Sequence, residues 1–252
     1  MSPISAGDPI VVGVDGSGVA LDAVRWATRE ARRRGLPLRI VHACSVLALG
    51  RDWLREAAEL TGTTVDRECV LRIGDARRNL VAESARAAML VVGWRGLGPG
   101  TQVTLGSTAL HVAANSRCPV VVVRGRLSGH GRVLAGVNGA ADAALAFAFD
   151  EADLHTTGVI ALRASESGQP PEQDLTSELR DWRQKYPSVP VTPLLVDGSP
   201  VARLMEHSGR ARLLVLGGRA LRAGTLGATS RALIRQATCP VVLVRGSGLT
   251  EQ

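Results

Sequence analysis

Short apolar runs, each closed by glycine or a turn, recur along the chain and predict buried parallel strands. Ile10 to Asp15 (IVVGVD) is almost continuously apolar, as a strand covered on both faces has to be. Leu38 to Ala43, Cys69 to Ile73, Met89 to Gly93 (MLVVG) and Pro119 to Val123 follow at intervals that leave room for helical crossovers. After the first run, Ala20, Ala23, Val24, Ala27 and Ala31 fall on one face of a helix.

The same series then starts again, and the repetition decides the architecture. Val133 to Asn138 (VLAGVN), Val159 to Arg163, Val191 to Val196, Leu213 to Gly217 (LLVLG) and Pro240 to Val244 match the five earlier runs in order. Ala143, Ala144, Phe147, Ala148 and Glu151 take the places of the first helical face, with a glutamate at its end. After each third strand comes a glycine, Gly74 or Gly198, and then Asp75 or Ser199, either able to cap a helix; Pro200 suits a first turn. The offset between the copies is 123 residues at Asp15/Asn138, 124 at Gly74/Gly198 and Gly93/Gly217, and 121 at Cys118/Cys239. Its one appreciable slip lies between the fourth strand and the last helix. The expectation is an α/β chain of two tandem domains, 1–127 and 131–252, joined near Leu127 to Gly131. Each should hold a mainly parallel five-stranded sheet with helices on both faces.

Composition narrows the function classes. With 45% hydrophobic and 21% charged residues a packed core is affordable, and with 3% aromatics Val, Leu, Ile and Ala must fill it. No apolar run reaches the roughly 20 residues of a bilayer crossing, and Met1 to Asp8 lacks the pattern of a secretion signal, so a cytoplasmic protein without a membrane segment is expected. The net charge of +7 comes almost wholly from arginine, and the tight run Arg32 to Arg34 ends a helix, where cations complement the dipole. Nucleic acid is therefore not the expected partner. Cys44, Cys69, Cys118 and Cys239 show no CxxC spacing and read as reduced thiols in or near the core. His42, His111, His130, His155 and His207 are scattered, so no metal site is expected.

In such sheets a ligand sits beyond the carboxyl ends of the strands. In the first half this places Asp15, Gly16 and Ser17, then His42 and Ala43, and the segment Gly93 to Thr108 (GWRGLGPGTQVTLGST) around one point. The glycines allow close backbone approach, Ser107 is expected to cap the next helix, and the free N–H groups at that helix start favour a phosphate.

Gly93, two residues, Gly96, nine residues, then Gly106-Ser107 reproduces the spacing G-x2-G-x9-G-[S/T]. Together with VDGS at Val14 to Ser17, Arg25-Trp26-Ala27, and CPVVVVR at Cys118 to Arg124, it resembles the universal stress protein family, in two copies over essentially the whole chain. The resemblance implies Rossmann-like domains of the adenine nucleotide alpha hydrolase-like type and an ATP site in the first. Asp15 would meet the adenine amino group and the backbone at Val41 and His42 the adenine edge. Gly93 and Gly96 would approach the ribose and phosphates, and Gly106, Ser107 and Thr108 would hold phosphate oxygens. Arg95 would lie near the triphosphate. Mg could accompany ATP, and other adenine nucleotides, including a cyclic one, could use the base pocket. Two departures from the family pattern are Ala109, where a hydroxyl residue is common, and the bulky Trp94.

The second half breaks the motif: Asn138 for Asp15, Ala140 for Ser17, Ala220 for Gly96, a six-residue spacer before Gly227, and Ala228 for Ser107. Little or no nucleotide is expected there, with Thr229 or Ser230 as substitute caps. The leading reading is a nucleotide-binding regulatory protein of stress response with an unidentified protein partner, rather than an enzyme. No HxGH, SGGxDS, GxSxG or P-loop lysine signature occurs, although slow ATP hydrolysis stays open. The alternative is an interaction module indifferent to nucleotides. The apolar last strands are expected at sheet edges, pairing the halves as an internal pseudo-dimer, with association of two chains left open.

Overall fold

The computed structural model describes residues 7–44, 50–97, 106–125, 127, 130–138, 142–165, 175–217 and 225–245. The chain divides into two compact units, one built mainly from Ile4–Arg124 and the other from Gly125–Arg222 and Gly227–Gln252.

The first unit runs β1 (Ile10–Val14), α1 (Gly18–Arg34), β2 (Leu38–Cys44), α2 (Gly50–Glu59), β3 (Arg67–Ile73), α3 (Ala76–Glu83), β4 (Met89–Gly93), α4 (Ser107–Asn115) and β5 (Val120–Val123). Its strands lie in the order β3-β2-β1-β4-β5, parallel at every described pairing. Ile10, Val11, Leu90, Val91, Val121 and Val122 are completely buried, which is why these strands read as unbroken apolar runs. Burial of each such side chain contributes about 1.5–3 kcal/mol. The helical face expected on α1 is the buried one, and Ser17 caps this helix by accepting from the Ala20 N–H at 3.2 Å. Helix α2, which the apolar pattern did not predict, buries Leu54 and Ala57 and leaves a charged outer face.

The second unit repeats the plan: β6 (Val133–Gly136), α5 (Asp142–Leu154), β7 (Val159–Ser165), α6 (Leu175–Glu178), α7 (Arg180–Lys185), β8 (Val191–Asp197), α8 (Pro200–Ser208), β9 (Leu213–Gly217), α9 (Ala228–Gln236) and β10 (Val241–Val244). Read from β8, the order β8-β7-β6-β9-β10 is the same one, again parallel. On α5 the expected face is buried except for half-buried Ala143, and Glu151 is buried with its carboxylate 3.0 Å from His155 Nε2. Asp75 caps α3 as expected, accepting from the Arg78 N–H at 3.0 Å. Ser199 stands at the N-cap of α8 without a side-chain bond, followed by Pro200 in the first turn. The four cysteines are free thiols. Cys118 and Cys239 are buried and Cys44 half-buried, but Cys69 is exposed on β3 rather than in or near the core as expected. Among the described residues no helix is long and apolar enough to cross a membrane.

Candidate functional site

The strand order of the first unit reverses direction between β1 and β4, and a cavity of about 1170 Å³ opens over the strand ends there. Asp15, Gly16 and Ser17 border it from the β1 turn, Val41 and Ala43 from β2, and Leu80 from α3. Gly93, Arg95, Gly96 and Leu97 enter from the β4 exit, and Gly106, Ser107, Thr108 and Ala109 from the start of α4. Ten of the eleven residues singled out from sequence are thus brought to one cavity. His42 is the exception.

Alternation along β2 explains the exception. Gly13 pairs with Val41 and Val14 with His42, so these two pairs face opposite sides of the sheet. A side chain on Gly13 would meet Leu80 of α3, which places Val41 and Ala43 on the cavity side. His42 turns the other way. Its buried Nδ1–H donates to the Val14 carbonyl at 2.7 Å, and its ring meets Trp53 of α2 edge-on at 5.0 Å.

Asp15 ties the two sides of the cavity together. One carboxylate oxygen accepts the Ser17 N–H at 3.1 Å, and the other accepts the Leu97 N–H at 2.9 Å across 82 residues. Gly96 is the residue that permits this approach, since a Cβ there would lie 2.0 Å from Asp15 Oδ2. Gly16 has φ +82°, a left-handed turn, and a Cβ on it would lie 2.4 Å from the Trp53 indole.

The helix start differs from expectation. Gly106, not Ser107, is the N-cap of α4: its N–H donates to the Trp94 carbonyl at 2.9 Å, and its carbonyl accepts the first helical bond, from Leu110 at 3.2 Å. This moves the start of the helix back by one, so Ser107 is its first residue and no side chain caps the end. The early N–H groups of α4 and the hydroxyls of Ser107 and Thr108 therefore border the cavity together, an arrangement suited to an anion. Ala109, 2% exposed, adds no hydroxyl. Behind Arg95, which lines the cavity, the guanidinium groups of Arg95 and Arg124 lie 4.9 and 5.0 Å from the Trp94 ring centre. The bulk of Trp94 is thus accommodated outside the cavity lining. The spacer residues 98–105 lie outside the described residues.

In the second unit α9 also starts after an uncapped glycine, Gly227, so neither Thr229 nor Ser230 serves as the substitute cap. The lost capping hydroxyl does not distinguish the halves, because neither helix uses one. What distinguishes the described residues is Asn138 in place of Asp15 and Ala228 in place of Ser107. Ala140 and Ala220 lie outside the described residues.

Each unit is thus a doubly wound parallel α/β domain, and the chain is a tandem of two. The sequence model of the Universal stress protein family matches residues 7–52, 47–124 and 161–245. The universal stress proteins Rv2624c and Rv2623 of Mycobacterium tuberculosis (strain ATCC 25618 / H37Rv) are each 32% identical to this chain, over 94% of it and 96% of their own length. The crystal structure of a universal stress protein from Archaeoglobus fulgidus DSM 4304 superposes with a TM-score of 0.77 at 19% identity, covering 94% of this chain and 96% of its own. The chain belongs to the universal stress protein family.

Proposed function

We propose that the first unit binds an adenine nucleotide of the ATP type and that occupancy regulates an interaction with another protein. The observation that carries this reading is the single cavity bordered at one end by the uncapped start of α4, with Ser107, Thr108 and Arg95, and elsewhere by Asp15 and the apolar Val41, Ala43 and Leu80. Phosphates suit the first end, where backbone N–H groups and hydroxyls converge. A flat base suits the apolar slot, with the Asp15 carboxylate as acceptor for an exocyclic amino group. The volume exceeds what a drug-sized ligand needs.

The lining carboxylates are Asp15 and Asp22. Asp15 accepts two backbone N–H groups, and Asp22 pairs with Arg25 at 2.8 Å. A magnesium ion would therefore arrive on the nucleotide's own phosphates, and the Ser107 and Thr108 hydroxyls are the groups that could help to hold it. Among the described residues no histidine, lysine or glutamate lines the cavity, and the carboxylates of Asp15 and Asp22 are already engaged. We read the chain as a binding protein rather than a dedicated enzyme. The second unit, with Asn138 and Ala228, takes a structural or regulatory part.

Titration of ATP into the purified chain should give saturable binding that Asp15→Ala and Gly106→Val each weaken at least tenfold. Gly106→Val acts by pressing a side chain on the Arg95 backbone, 3.3 Å from a Cβ at that position. Binding untouched by both substitutions would refute the site, and nucleotide-free protein that still captures its partner would favour an interaction module. A single-turnover assay with labelled ATP should show hydrolysis no faster than background.

A further inference from the structure

We propose that helix α2 reads the occupancy of the cavity through Trp53 and His42; this rests on nucleotide binding by the first unit. Neither side chain lines the cavity. Both lie behind the turn that does. Trp53 packs so tightly on Gly16 that its indole atoms sit 2.4–2.6 Å from where a Cβ would be, while Gly16 itself borders the cavity. His42 holds the Val14 carbonyl at 2.7 Å and meets the Trp53 ring at 5.0 Å. The residues on either side of Asp15 are therefore gripped from behind, one by β2 and one by α2. Asp15 in turn holds Leu97 at 2.9 Å on the far side of the cavity.

These contacts form one unbroken chain from α2 to both walls of the site. Docking of α2 favours the turn geometry in which Asp15 faces the cavity. Thermodynamic linkage then requires a ligand that needs this geometry to stabilise the docking of α2 by the same factor. The helix is built to present that state outward: Leu54 and Ala57 are buried, and Arg51, Asp52, Arg55, Glu56 and Glu59 are exposed. Trp53 and His42 are positioning residues, acting through Gly16 and Val14 without touching the ligand.

Hydrogen exchange of the full chain, with and without saturating ATP and magnesium, tests the coupling. The α2 amides should exchange about fivefold more slowly with nucleotide bound, at the low end of ordinary coupling factors. Trp53→Ala should weaken ATP binding by a similar factor and abolish the α2 protection, while saturating ATP still protects α4; Trp53→Phe should retain both. If Trp53→Ala fails to fold, His42→Gln removes the second grip on the turn and should reduce the α2 protection instead. Saturable binding that slows α4 but leaves α2 unchanged would overturn the coupling alone. No saturable binding would overturn the coupling together with the nucleotide reading.

Discussion

Replacing Gly96 by alanine should loosen the site through one contact, the approach of this residue to Asp15. The new Cβ would lie 2.0 Å from Asp15 Oδ2, against the 3 Å and more that a carbon–oxygen contact requires. Carboxylate and loop must separate by about 1 Å, which breaks the 2.9 Å bond from the Leu97 N–H. Hydrogen bonds to charged groups contribute about 1.5–3 kcal/mol, and the exposure of Leu97 argues for the lower figure. A loss of about 1.5 kcal/mol corresponds to roughly tenfold weaker ATP binding. In melting temperature it corresponds to a fall of about 3–6 °C. Differential scanning calorimetry on a double-mutant cycle isolates the contact. In an Asp15→Ala background the carboxylate is gone, and Gly96→Ala should then be nearly silent. Equal destabilisation in both backgrounds would refute the reasoning, because the cost would then come from the loop itself.

Further outcomes follow from the same geometry. Ser107→Pro should keep α4 intact, since proline suits a first helical position and Gly106 already has the extended ψ of 134° that must precede it. Having lost one N–H and one hydroxyl, it should bind ATP about tenfold more weakly by calorimetry and adenosine unchanged; an equal loss for both ligands would refute a phosphate role. Asp75 is held down at about 2 by the Arg77 guanidinium and the Arg78 N–H. Its depressed value makes its support of α3 complete above about pH 4 and lost as pH falls through about 2, so amide exchange in α3 should rise over that window and not above it. At pH 8 iodoacetamide should modify exposed Cys69 well before Cys118, whose thiol burial pushes up to about 12, and equal rates would contradict the packing.

The repeat and the strands were legible because fully buried parallel strands are written as continuous apolar runs, with β-branched residues such as Val11, Val12, Val121 and Val122. The cavity was legible because the ends of those strands and the glycine spacing bracket it. Four features were not. The direction of His42 depends on its pairing with Val14, 28 residues away, and local sequence carries no register. The bond from Leu97 to Asp15 spans 82 residues and leaves its only trace in the glycine at position 96. Ser107 has the chemistry of a cap, but the Trp94 carbonyl takes the Gly106 N–H and sets the helix start one residue earlier. Helix α2 is not legible because it buries only Leu54 and Ala57 beyond its first residue, too few positions to show a helical stripe.

A structure of the chain with ATP bound is the most direct measurement of the central claim. The account predicts one nucleotide per chain, its phosphates against the Ser107 and Thr108 end of α4 and its base beside Asp15, Val41 and Ala43. Density instead at Asn138 and Ala228, or a first-unit cavity left empty at saturating ATP, would contradict it.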